Sequence, residues 1–305
     1  MKNLYFVLLM VFFASVVSAQ EEGKMTVEDY NKKVIELKGT YLEKNKMNGN
    51  IEAYYMIYDY MGKGFVKLDT DIIIQIKNIA LLKSNAYTIS FKGKDESNFT
   101  AKSDFKFEKK DIFINKEGDG IIIKKLSLEK GRYINIDLSL IGDAGESASI
   151  TLPVFDTLNL SDMKTKIGKL FLLSSMNESR NKMLFRRDYV IEPNLTGIYE
   201  KSKTFGFYVE YYHLTNDALY NEGKYEIYYN IVNMVFNKSI FDQTIKKEEA
   251  KPNGVVIVPP VDLSSALPGM YKLEIKFTDL MTKEEFKKEQ YFILVETVAE
   301  KNVEK

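Results

Sequence analysis

The chain has no cysteine and no tryptophan, one histidine at position 213, and only 6 prolines in 305 residues. Without cysteine there is no disulfide framework, thiolate zinc site, thiol nucleophile or lipidated N-terminal cysteine. A lone histidine cannot build the common zinc sets, and no serine sits in a nucleophile elbow. Neither sign of charge is in excess. Lys and Arg number 43 and Asp and Glu number 43, which removes the usual basis for attraction to nucleic acid or a charged membrane surface. What the chain does have is a 45% hydrophobic share, 13% aromatic, enough for one or two packed domains.

Met1 to Ala19 reads as a secretory signal. Lys2 supplies a basic start, Leu4 to Val17 an apolar run too short for a comfortable membrane span, and Val17-Ser18-Ala19 a small-residue cleavage site before Gln20. The expected address is therefore secreted, in the periplasm or at the cell surface of a bacterium. Residues 20–47 are charged. Thr26-Val27-Glu28-Asp29 resembles a helix cap, and Tyr30, Val34, Leu37 and Tyr41 follow at helical spacing, although Val34 to Leu37 could also begin a strand.

From Asn48 onward the pattern is that of strands. Tyr271, Leu273, Ile275 and Phe277 alternate with polar residues, the period-two signature of a half-buried strand, and the chain returns through Gln290 to Val295 as a closing hairpin. Before this strand, Leu267-Pro268-Gly269 places Pro and Gly where a type II turn needs them, so Gly269 is expected at positive φ with Pro268 and Tyr271 framing the turn. A second copy lies about one domain length upstream. There Gly131-Arg132-Tyr133 precedes Ile134, Ile136, Leu138 and Leu140, and a turn at Gly142 to Gly145 leads into Ser149 to Val154. With the tyrosines aligned, the apolar phase of the two copies differs by one residue. Either a β-bulge near Arg132-Tyr133 restores it, or the likeness is one of architecture alone.

Short strands with turn signals between them predict an all-β chain. The expected organisation is two tandem antiparallel sandwiches, immunoglobulin- or fibronectin-III-like, at 48–155 and 156–297, with a tail at 298–305. The join at Phe155-Asp156-Thr157-Leu158 contains no Pro/Gly/Ser linker, so the domains are expected to abut.

The second half resembles the sandwich region of the bacterial GWxTD-motif proteins, a group of secreted or envelope proteins. The matching pieces, in order, are Asp156 to Met163, Ile191-Glu192-Pro193-Asn194, Phe207 to Leu214, and Leu267-Pro268-Gly269-Met270-Tyr271. The Gly-Trp-x-Thr-Asp segment itself is absent. The resemblance implies an architecture and an envelope address, and it carries no catalytic residue across.

Several residue groups invite a chemical reading, each with a plainer alternative. His213 is read as a strand-end histidine. Asn115 to Gly120 has the alternating oxygens of a calcium loop, but its twelfth position is Leu126 where a glutamate is needed, so a hairpin turn is expected and no metal site is assigned. Asp69 with Asp71, and Glu284 with Glu285, are neighbours in sequence and do not define a cleft. Sequons at Asn98, Asn159, Asn177, Asn194 and Asn237 fit chance in an Asn-rich chain.

The aromatic strands carry more information. Around Tyr208, Glu210 and Tyr212 one face is apolar and the other still shows tyrosines, and Tyr228 lies opposite in phase to its neighbours. Such a face could hold a sugar or a protein partner; equally, the other domain or the N-terminal segment could cover it. The resulting expectation is a non-catalytic binding or assembly module with no cofactor, whose partner is an envelope protein or a glycan. A carbohydrate-binding module using Tyr208, Tyr212 and Tyr228 is the alternative, and a hydrolase with a cleft built from distant residues is the weaker one.

Overall fold

The computed structural model describes residues 25–61, 68–98, 100–115, 117–126, 132–152, 155–156, 158–175, 184–186, 189–217, 219–258 and 260–296. The segment read as a signal, with its Ala19–Gln20 junction, the tail at 298–305, and the turns at 62–64 and 128–131 lie outside the described residues.

The chain begins with helix α1 (Val27–Tyr41). Its first strands are β1 (Asn48–Gly49), β2 (Ala53–Met61), β3 (Leu68–Ile76), β4 (Ala86–Asp95) and β5 (Thr100–Glu108). Then come β6 (Phe113–Ile114), β7 (Gly120–Leu126), β8 (Arg132–Gly142), β9 (Ser147–Leu152) and β10 (Phe155–Asp156). The second half holds β11 (Lys166–Ile167), β12 (Phe171–Ser175), β13 (Leu184–Arg186), β14 (Tyr189–Pro193), β15 (Ile198–Glu200) and β16 (Gly206–Tyr212). It ends with β17 (Asn216–Asp217), β18 (Glu222–Asn233), β19 (Lys238–Ala250), β20 (Gly254–Ile257), β21 (Gly269–Asp279) and β22 (Glu285–Val295).

These strands make four sheets in two sandwiches. In the first, β2-β3-β7-β6 packs on β1-β9-β8-β4-β5, with β10 beside β8. Ile57, Ile72, Ile74, Ile89, Phe91 and Leu138 fill the space between them. In the second, β11-β16-β12-β14-β13, with β20 beside β16, packs on β15-β22-β21-β18-β17, with β19 beside β18. Phe207, Ile227, Leu273, Ile275, Phe277 and Phe292 make its core. Pairing is antiparallel throughout except for β15, which runs parallel to β22.

The phase difference between the two Gly-x-Tyr copies has a visible cause. Lys94 pairs with Asn135 and Asp95 with Tyr133, so β8 carries one extra residue at Ile134. The bulge turns Tyr133 to the same side as Ile136, Leu138 and Leu140, and all four are buried.

Helix α1 is capped by Thr26, whose hydroxyl oxygen accepts the Asp29 amide at 3.1 Å. Although it precedes the first sandwich in sequence, it packs on the second. Tyr30, Val34 and Leu42 meet Val235, Met270 and Ile293, Tyr41 stacks on Tyr291 at 4.1 Å, and the Lys33 ammonium donates to the Val235 carbonyl at 3.1 Å. A few residues later Met47 is part of the first sandwich's core. The N-terminal segment thus straps one domain to the other, and it explains why Ile293, on the outer face of β22, is buried.

The two sandwiches meet through sheet faces. Tyr54, Met56, Tyr58, Ile73 and Ile121 of the first pack against Phe171, Leu173, Ile191, Leu195 and Tyr208 of the second. Strands β2, β3, β16 and β20 are therefore covered on both sides. This is why runs such as Tyr54 to Tyr58 and Ile72-Ile73-Ile74 are continuously apolar instead of alternating. Polar links cross the same seam. The Leu195 amide donates to Gln75 Oε1 at 2.9 Å, Lys169 Nζ to the Ile57 carbonyl at 2.8 Å, and Lys203 pairs with Glu117 at 2.9 Å. At the join, the Leu158 amide donates to Asp59 Oδ2 at 2.9 Å, while Leu158 and Leu160 cover Met61 and Tyr212.

Candidate functional site

Tyr208 and Tyr212 do not form an open binding face. Both are fully buried, because the outer face of the first sandwich lies over this side of β16. Between them Glu210, 1% exposed, accepts the Tyr208 hydroxyl on Oε1 at 2.6 Å and the Tyr212 hydroxyl on Oε2 at 2.5 Å. From the opposing sheet Tyr58 meets Phe171 edge-on at 4.3 Å. Burial, and then the proximity of Tyr212, Glu210 and Tyr208, holds the Tyr58 hydroxyl well above the ordinary phenol range. Tyr208, Glu210 and Tyr212 lie on one strand, so the carboxylate satisfies two hydroxyls that the first sandwich shields from solvent, and removing it would leave them buried without an acceptor.

Tyr228 is elsewhere, half-buried on the outer face of the second sandwich. Thr244 and Lys276 flank it across the ladder. A shallow depression there is lined by Glu274, Lys276, Lys287 and Glu289, with Tyr228 as its one aromatic ring. The structure therefore brings Tyr208 and Tyr212 together and leaves Tyr228 apart.

The stretch Leu267-Pro268-Gly269 also differs from expectation. Positive-φ glycines among the described residues are Gly118, Gly145 and Gly197, so Gly269 is not left-handed and the type II turn is not formed. Gly269 instead opens β21, paired with Leu294. Its lack of a side chain serves α1: a Cβ here would stand 2.1 Å from the Tyr30 hydroxyl oxygen, which donates to the Pro268 carbonyl at 3.0 Å. Tyr271 is buried in the core, and its hydroxyl donates to the Leu267 carbonyl at 2.5 Å.

The carboxylates Asp69, Asp71, Asp119 and Glu285 are engaged in structure. Asp119, 1% exposed, accepts Gln75 Nε2 at 2.8 Å, Lys77 Nζ at 2.7 Å and the Asn78 amide at 3.1 Å, so its oxygens are taken by donors. Asp69 pairs with Lys125 at 2.6 Å, Asp71 accepts the Tyr60 hydroxyl at 3.2 Å, and Glu285 pairs with Lys276 at 3.0 Å. Among the described residues no three His, Asp or Glu side chains gather to hold a metal ion. No helix among them is long and apolar enough to cross a membrane.

One cluster was not singled out in the sequence. At the end of β21 the fully buried Asp279 draws three loops together. Oδ2 lies 2.8 Å from the Thr165 hydroxyl and 3.0 Å from the Thr215 amide, and Oδ1 accepts the amides of Met281 at 2.9 Å and Thr282 at 3.2 Å. Burial alone would raise the Asp279 carboxyl, but these hydrogen bonds hold it below the usual carboxylate range. The Leu280 amide ties in the start of β18 through the Lys224 carbonyl at 2.9 Å. His213 joins the same end, its carbonyl 2.9 Å from the Thr165 hydroxyl. The only sequence signal was a strand-terminal aspartate followed by an apolar and charged turn.

No protein-family model and no curated protein matches the chain. Among solved structures, a β-glucuronidase from Parabacteroides merdae is similar at 10% identity with a TM-score of 0.27, covering 73% of this chain and 28% of that one. A β-D-mannosidase from Dictyoglomus thermophilum is similar at 11% identity with a TM-score of 0.25, covering 72% and 29%. The fibronectin(III)-like modules of CbhA from Clostridium thermocellum are similar at 10% identity with a TM-score of 0.20, covering 75% and 86%. The chain spans less than a third of the length of either glycosidase. Likenesses of this size carry no activity to this chain; the two-sandwich architecture rests on its own sheets.

Proposed function

We propose that the chain is an exported, non-catalytic module of the bacterial envelope that works by binding or assembling with another envelope component. The observation that supports it most is the use made of buried polar groups. Glu210, Asp119 and Asp279 all commit their oxygens to donors of the fold itself, within a strand, within a sandwich and between loops. A catalytic carboxylate needs oxygens left free toward a cleft. The domain seam, carrying both an apolar cluster and hydrogen bonds, makes one body that presents its loops and outer faces at set positions. The segment Met1 to Ala19 and the resemblance of the second half to GWxTD-motif proteins support the envelope address.

The test is expression in a Gram-negative bacterium followed by fractionation, N-terminal sequencing and cross-linking in intact cells. The expected result is a mature chain beginning at Gln20, outside the cytoplasm, cross-linked to an envelope component. Retention in the cytoplasm with Lys2 still present would refute the export, and hydrolysis of a glycoside panel by the pure protein, lost in a single carboxylate variant, would refute the non-catalytic reading. For the glycan alternative Tyr228 is the one named tyrosine with solvent access, so glycan retention abolished by Tyr228→Ala would revive it.

A further inference from the structure

The second sandwich has an open edge. Strand β19 is 13 residues long, and among the described residues β18 is its only partner strand. From Lys238 to Glu249 every residue is exposed except Phe241 and Ile245, which are half-buried against the core. No described segment therefore lies over the far side of this strand.

The ladder fixes which backbone groups face outward. The Met234 amide donates to the Met270 carbonyl and the Leu280 amide to the Lys224 carbonyl, each at 2.9 Å, so even-numbered residues of β18 bond to β21 and odd-numbered ones to β19. The partners of those odd residues are Phe241, Gln243, Ile245 and Lys247. The amides and carbonyls of Asp242, Thr244 and Lys246 consequently point away from the sheet. Register shifts flank this stretch, between Gly223 and Tyr225 and between Ile231 and Val232 of β18, and the pairing between them is regular. A straight run of outward donors and acceptors is a template for one kind of partner, another extended strand.

We propose that β19 pairs antiparallel with β19 of a second copy of this chain, about a two-fold axis at Thr244, joining two sheets into one. The side chains select this occupant and this register. With Thr244 opposite its counterpart, Asp242 stands opposite Lys246 of the second copy and Lys246 opposite its Asp242, so two opposite-charge pairs flank a Thr–Thr pair on the outer face. Each of these three pairings exchanges two backbone hydrogen bonds. Other two-fold registers lose the match. An axis at Asp242 or at Lys246 sets like charges against each other, one at Ile245 sets Asp242 against Glu248, and one at Gln243 pairs neither Asp242 nor Lys246 with an opposite charge. Lys246 already holds Glu248 of its own strand at 2.8 Å and would bridge the two carboxylates. On the inner face Phe241 meets the stem of Lys247 across the joint, and Ile245 meets Gln243. An edge joint is small, in the transient class below about 1,200 Å² in total, so the dimer is expected at high protein concentration. The inference goes beyond the proposed function and does not depend on export.

Sedimentation equilibrium of the pure protein over about 10 μM to 1 mM is the test. The expected mass rises from one chain toward two, and exchange of the Thr244 amide slows over the same range. Asp242→Lys and Lys246→Asp each put two like-charge pairs into the joint and should weaken association at least about tenfold. Mixing the two variants should restore it, because every charge in the joint then faces its opposite. Thr244→Pro deletes an outward amide that β18 does not use, so it should abolish the dimer while the melting temperature stays near that of the unsubstituted protein. A chain that remains monomeric up to about 1 mM would overturn the proposal. So would association undiminished by Thr244→Pro, or a mixture of the Asp242→Lys and Lys246→Asp proteins that associates no better than either alone.

Discussion

Gly269→Ala isolates the contact that docks the N-terminal helix on the second sandwich. The added Cβ would lie 2.1 Å from the Tyr30 hydroxyl oxygen and 3.2 Å from the ring carbon that bears it, so the ring has to swing away. That movement removes the 3.0 Å hydrogen bond to the Pro268 carbonyl, about 1 kcal/mol. It also disturbs the stack of Tyr30 on Phe236, centroids 5.4 Å apart, worth about 0.5–1.5 kcal/mol. Against this, replacing Gly by Ala in extended backbone reduces the entropy of the unfolded chain, a gain of about 0.4–1 kcal/mol. The expected net destabilisation is about 1–2 kcal/mol. In a Tyr30→Ala background the obstructing ring is gone, and Gly269→Ala should become neutral or slightly stabilising. Urea unfolding of the four proteins of this double-mutant cycle is the assay, with an expected coupling of about 1.5–3 kcal/mol. Equal costs of Gly269→Ala in both backgrounds, within about 0.5 kcal/mol, would refute the steric account and return the origin of the cost to the backbone.

Three further outcomes are expected. Glu210→Ala should destabilise by about 2–5 kcal/mol because it strands the Tyr208 and Tyr212 hydroxyls in the seam, and Glu210→Gln should cost clearly less; equal costs in chemical unfolding would show that the hydrogen bonds are not what matters. Phe171→Ala, removing a fully buried ring from the seam, should cost about 3–5 kcal/mol and split the calorimetric transition in two, whereas a single unsplit transition would count against the seam as the coupling element. Asp279, whose carboxyl is held below its unfolded-state value, contributes stability that is fully present above about pH 4 and is lost as pH falls through the folded-state value. Asp279→Asn should therefore lower stability at pH 7 and flatten the loss on the acid side of about pH 4, and an unchanged acid limb in pH-dependent unfolding would refute this.

How far the sequence reached can be seen strand by strand. Tyr271, Leu273, Ile275 and Phe277 alternate because one side of β21 faces the core, and the period alone identified the strand, its hairpin partner and the all-β class. The Thr26 cap and helical spacing suggested α1 while leaving a strand at Val34 to Leu37 open, and the one-residue phase difference at Tyr133 admitted a bulge, which the β8 ladder contains, or a likeness of architecture alone. These features are local, set by backbone geometry within a few residues. The continuous apolar runs Tyr54 to Tyr58 and Ile72 to Ile74 already carried the sign of two-sided burial, but they did not say what covers the second side.

That was decided only by tertiary structure. Whether Tyr208 and Tyr212 face solvent depends on a sheet more than a hundred residues earlier in the chain, and no periodicity within β16 encodes its arrival. Gly269 looked like a turn glycine because Pro-Gly is the usual turn pair, yet its constraint comes from the Tyr30 hydroxyl, 239 residues earlier in the numbering and brought there by α1 crossing from the first sandwich to the second. The meeting of distant loops at Asp279 rests in the same way on its hydrogen bonds with Thr165 and Thr215. Strand period is dictated by covalent geometry and can be read along the chain, whereas these contacts exist only after distant segments have lost the entropy of moving independently.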